Sequence, residues 1–182
     1  DMPCSELLKE IPADRSPIGQ NCVTPDGKWF VYIHHDRESY KKIAASRDWN
    51  VYYPARSTSH ETVVEACNLD SGDTKEVLRI NSPVHHIFPY GNEHFVINHP
   101  ANESGMIFTH IDGGWYTNLR TKDSNGRMPC HHVSTSRGIA YEAYQGHSDV
   151  VAGITDPFSH IRKEFHLPDT FGYVHTGHDH EG

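Results

Sequence analysis

Cys22-Val-Thr-Pro-Asp-Gly27-Lys-Trp-Phe-Val-Tyr-Ile33 is the stretch on which the fold turns. A Cys or His opens it, a short apolar step follows, a glycine marks a hairpin, and an alternating apolar strand closes it. The outline recurs as His86-Ile-Phe-Pro-Tyr-Gly91-Asn-Glu-His-Phe-Val-Ile97. It recurs again as His132-Val-Ser-Thr-Ser-Arg-Gly138-Ile-Ala-Tyr-Glu-Ala-Tyr144, and a fourth copy begins at His175. His86 to His132 is 46 positions and His132 to His175 is 43. That period suits four short strands per propeller blade.

The remainder of each repeat reads as strand, tight turn, strand. Thr62–Asp70, a Ser-Gly turn at 71–72 and Lys75–Ile80 complete the first copy. Met106–Ile111, Asp-Gly-Gly and Trp115–Leu119 complete the second, and Val150–Ile154, Asp-Pro and Ile161–His166 the third. Only Ser5–Glu10 reads as helix. The expectation is an all-β propeller of about three blades, near 20–80, 81–126 and 127–170, with another starting at 171. Such blades pack only on their neighbours. The 182 residues are therefore expected to be part of one larger propeller domain that needs the rest of its own ring.

Composition narrows the partners. A net charge of −8 leaves no basic stripe to neutralise phosphates, which argues against nucleic acid. No run reaches the ~20 apolar residues of a membrane span. The first residue is Asp1, not Met, and no charged-then-apolar leader follows it, which fits a removed signal peptide or, the favoured reading, a start inside a longer protein. Four cysteines show no Cys-x-x-Cys pair and do not fix the redox compartment.

Two candidate sites stand out. The recurring position places His86, His132 and His175 at the start of inner strands. Cys130, two residues before His132, would share its strand face, with His131 pointing the other way. Imidazole and thiolate suit a divalent transition metal, zinc first, with manganese possible. The competing reading is that these side chains merely hydrogen-bond neighbouring blades. His178 and His180 form a further His-x-His. The second candidate lies in about twenty extra residues of the first blade, between Asp36 and Glu61. That stretch gathers Arg37, Tyr40, Lys41, Lys42, Arg47, Trp49, Tyr52, Tyr53 and Arg56 inside an acidic chain. Aromatic faces stack on sugars and Arg forks grip carboxylates, so Arg37, Trp49 and Tyr53 are candidate substrate contacts. A surface loop of solvated charges is the alternative.

From about Gln20 to His175 these blade motifs resemble the β-propeller polysaccharide lyases, in particular the oligogalacturonate and ulvan lyases. The matching features are the Cys22-x-x-Pro-Asp-Gly start, the long stretch before Thr62, the His86 blade and the Cys130-x-His132 blade. The resemblance implies a seven-bladed ring and cleavage of an anionic uronate polysaccharide by β-elimination. It implies Tyr40 as acid/base and Arg56, sixteen positions on, as the carboxylate-neutralising group of an ulvan-type site. It equally implies, for an oligogalacturonate-type site, His132 as base and His175 as a manganese ligand. Here the arginine expected shortly after His86 is replaced by Ile87-Phe-Pro-Tyr90, which favours the ulvan-type reading, with His132 binding metal beside Cys130. The resemblance implies a secreted or periplasmic protein, or a cytoplasmic one if it is of oligogalacturonate type. A non-catalytic propeller binding sugar or protein, and a peptidase-type propeller module, are the rival readings.

Overall fold

The computed structural model describes residues 21–35, 62–80, 84, 86–99, 105–121, 123–145 and 148–167. Twelve strands form three four-stranded antiparallel sheets, each built from consecutive strands in sequence order. The first sheet holds β1 (Cys22–Val23), β2 (Trp29–His35), β3 (Thr62–Asn68) and β4 (Thr74–Ile80). The second holds β5 (His86–Tyr90), β6 (His94–His99), β7 (Gly105–His110) and β8 (Thr117–Arg120). The third holds β9 (Met128–Thr135), β10 (Gly138–Gln145), β11 (Ser148–Thr155) and β12 (Arg162–His166). This is the meander of propeller blades, and no helix occurs among the described residues.

Blade packing follows from strand alternation, since successive side chains point to opposite faces. On β6, Phe95 and Ile97 join Val31, Ile33, Val64, Leu78 and Ile107 in the core between the first and second blades. Val96, between them, points the other way and packs with Phe108, Ile139, Tyr141 and Ala143 between the second and third. Both faces of the middle blade are therefore apolar, and the sequence of β6 reads as a continuous buried run rather than an alternating one.

Close approaches and polar ties lock the blades. Gly113 (φ 73) lies against the Val77 backbone of the first blade, and the Gly114 N–H donates to Val77 O at 3.2 Å. A side chain at Gly113 would meet that carbonyl. Between the second and third blades, Asn98 Nδ2 donates to Pro129 O (2.8 Å). Arg120 Nε donates to Glu164 Oε1 (2.9 Å), which also accepts from Tyr141 Oη (2.6 Å).

Three expectations need correction or fall outside the described residues. Trp115 and Tyr116 precede β8, exposed in the turn that Asp112-Gly-Gly extends. The helix expected at Ser5–Glu10 lies outside the described residues. The register of the repeat also differs, with consequences for the site. Gly27 and Gly91 sit inside the first hairpin turns, but Gly138 is the first residue of β10. The turn separates Tyr90 from its partner His94 in the second blade and Thr135 from its partner Gly138 in the third. Counting back along the inner strands from those pairs, Ile87 matches His132 and His86 matches His131. A slip of one residue moves a side chain to the other face of a strand.

Candidate functional site

All three blades have the same two ends. At one lie the first hairpin turns, such as 91–93 and 136–137. At the other lie His34 at the end of β2, His86 at the start of β5, and His131 facing Glu142 across β9 and β10. The stretch 36–61 leaves β2 after His35 and returns at Thr62, so it joins the blade at this second end.

His86 and His131 meet because they are equivalent positions on neighbouring inner strands. Their ring centroids are 5.3 Å apart, edge to face. His131 Nδ1 is 2.5 Å from Glu142 Oε1, and the two side chains are 10% and 1% exposed. A carboxylate accepts, so Nδ1 carries the hydrogen and Nε2 is the basic nitrogen. This imidazole–carboxylate arrangement fixes tautomer and ring orientation, as in sites of proton transfer and in metal-ligating histidines. The second carboxylate oxygen, Glu142 Oε2, has no hydrogen-bond partner among the described residues.

His132 has a different environment. It is 0% exposed, its ring edge-on to Phe88 at 4.6 Å, with Nε2 3.1 Å from Val96 O. A carbonyl only accepts, so Nε2 carries the hydrogen here. The ring ties the third blade to the second. With no exposed surface, His132 is assigned neither of its two expected roles, metal ligand or base, in the proposal below. The repeat register that grouped it with His86 does not hold either.

Of the remaining expected ligands, Cys130 belongs to β9 by its backbone, but its side chain lies outside the described residues, as does His175. The stretch carrying Arg37, Tyr40, Trp49, Tyr53 and Arg56 lies outside them too. Among the described residues, no group of three or more His, Cys, Asp or Glu side chains could hold a metal ion.

A second carboxylate–histidine group lies at the same end of the first blade. Tyr32 Oη donates to Glu65 Oε2 at 2.6 Å, and His34 Nε2 is 3.4 Å from that oxygen. All three residues are buried. Sequence reading missed Glu65, Glu142 and the contact of Glu142 with His131. The Glu142 pairing was recoverable in principle: counting outward from the turn at 136–137, His131 comes opposite Glu142.

The three sheets define a β-propeller, and solved structures of the same fold are similar to it. An oligogalacturonate lyase in complex with manganese superposes with a TM-score of 0.75 at 18% sequence identity, over 90% of this chain and 45% of that one. The oligogalacturonate lyase of Vibrio parahaemolyticus gives 0.73 at 12% identity, again over 90% and 45%. A puromycin-hydrolyzing peptidase of Mycobacterium tuberculosis gives 0.57 at 11%, over 82% of this chain and 22% of that one. The chain thus spans less than half the length of each of these two lyases. No protein-family model and no curated protein sequence matches it.

Proposed function

We propose that the protein is a polysaccharide lyase that cleaves a uronate-containing chain by β-elimination, with oligogalacturonate as the leading substrate and ulvan second. The observation that supports this reading is the His131–Glu142 pair beside His86, at the end of the propeller that receives the stretch 36–61. The ranking of substrates rests on the two oligogalacturonate lyases of like fold.

His131 Nε2 takes the C5 proton, the C5–H electrons form the C4–C5 double bond, and the C4–O bond breaks. Glu142 keeps His131 in the required tautomer and stabilises the imidazolium that forms. Arg56 offsets the uronate carboxylate, without which C5–H is too weak an acid to react. Tyr40 returns a proton to the leaving oxygen. His86, half-buried beside His131, fits as one ligand of a divalent cation, with Cys130 and His175 as its proposed partners. Manganese ranks before zinc, from the manganese-bound lyase of like fold. Such an ion would add positive charge at the substrate carboxylate.

The test is to incubate the protein with oligogalacturonate and with ulvan and follow the ultraviolet absorbance of the unsaturated product. Absorbance that rises with oligogalacturonate supports the leading reading, and a rise with ulvan alone reverses the substrate order. A flat trace with every uronate polymer leaves a binding propeller instead.

A further inference from the structure

A groove of about 650 Å³ opens at the hairpin end of the blades, opposite the His131–Glu142 end. That volume lies within the range of small-ligand sites. All three blades contribute to it. Trp29 comes from the first, Tyr90 and His94 from the second, and Phe158 from the third. Phe158 is 63% exposed, yet its ring stands 6.1 Å from Tyr90 and 5.4 Å from His94. Its turn is held by Asp156 Oδ1, which accepts the N–H groups of Phe158 and Ser159 at 2.8 and 3.0 Å. A large apolar ring is thus presented to solvent across a blade boundary.

The polar rim completes the chemistry. Asp26, Asn92, Glu93 and Asp112 supply oxygen acceptors. Lys28 and Lys75 also face the groove, but each is matched to a carboxylate, at 3.8 Å from Asp26 and 3.2 Å from Asp112. Lys75 Nζ also lies 4.9 Å over the Trp29 ring. The rim therefore carries no surplus positive charge to draw a uronate. Flat rings beside carboxylates and an amide suit the C–H face and hydroxyls of an uncharged pyranose.

We propose that this groove binds a neutral sugar residue, as a carbohydrate site separate from the uronate site and independent of whether the protein is a lyase. Phe158 is its stacking platform. The test is calorimetric titration of the protein with cellohexaose, xylohexaose, mannohexaose and hexagalacturonate, repeated with Phe158→Ala. The expected result is binding of at least one neutral hexasaccharide and its weakening by roughly tenfold or more in Phe158→Ala, about the worth of one stacking ring. The variant should keep the wild-type melting temperature, because the ring is mostly exposed, and any turnover of uronate should be unchanged. Binding of none of the neutral sugars, or equal binding by Phe158→Ala, overturns the proposal. So does binding of hexagalacturonate alone that Phe158→Ala weakens.

Discussion

Glu142 Oε1 lies 2.5 Å from His131 Nδ1, so a carboxylate that is only 1% exposed sets the tautomer of its neighbouring histidine. A Glu142→Gln change keeps the shape but replaces a charge acceptor by an amide. If the proposed lyase reaction runs through this pair, its rate should fall by about 10²–10⁴, the usual worth of one proton-transfer group. Nitrogen NMR should show His131 losing its preference for the Nδ1–H form. An unchanged rate with an unchanged tautomer would remove Glu142 from the mechanism.

His132 separates interface from chemistry. His132→Leu keeps a similar volume against Phe88 but leaves Val96 O without that donor. Stability should drop by about 1 kcal/mol, the net worth of one buried hydrogen bond. The turnover number at a temperature where the variant is folded should stay within the same order of magnitude as wild type. Urea titration and steady-state kinetics give both values.

Arg120 is the polar rivet between the second and third blades. Its guanidinium is 1% exposed and donates to Glu164 Oε1, to Asp123 Oδ2 and to the carbonyls of Thr121 and Arg127. Arg120→Ala strands those acceptors and should cost about 3–5 kcal/mol by urea unfolding. Arg120→Lys should recover only part of that, because a single ammonium cannot fork to four oxygens.

Acid sensitivity should concentrate at Asp123. Desolvation pushes its carboxyl up, but the Arg127 and Arg120 side chains and the Arg127 and Asn125 amides outweigh this and lower it from 3.8 to about 2. A folded value below the unfolded one means stability that is fully present above about pH 4 and is lost as pH falls toward 2. Between those limits the melting temperature of wild type should fall faster than that of Asp123→Asn. Parallel curves would show that this carboxylate is not linked to folding.

The strand pattern was legible because local signals and global fold agree. Alternation, β-branched residues and Gly or Asx turns mark β3, β4, β7 and β11 close to their observed bounds. The site was less legible because it depends on hairpin register. The glycines at 27 and 91 lie inside their turns, while Gly138 lies beyond its turn, and this difference moved the apparent repeat histidine from His131 to His132. The pairing of Glu142 with His131 becomes readable only once the turn is placed at 136–137 rather than at Gly138, because it follows from counting outward through that hairpin. The blade-to-blade ties of Arg120 with Glu164, 44 residues apart, were equally invisible to periodicity.

The most direct measurement is the rate of unsaturated uronate formation by His131→Ala and by His132→Ala, each compared with wild type at matched folded fraction by circular dichroism. His131→Ala should lose about 10²–10⁴ in turnover while remaining folded, and His132→Ala should lose stability but keep turnover per folded molecule. Near-normal turnover by folded His131→Ala, or selective loss of chemistry in His132→Ala, would contradict this.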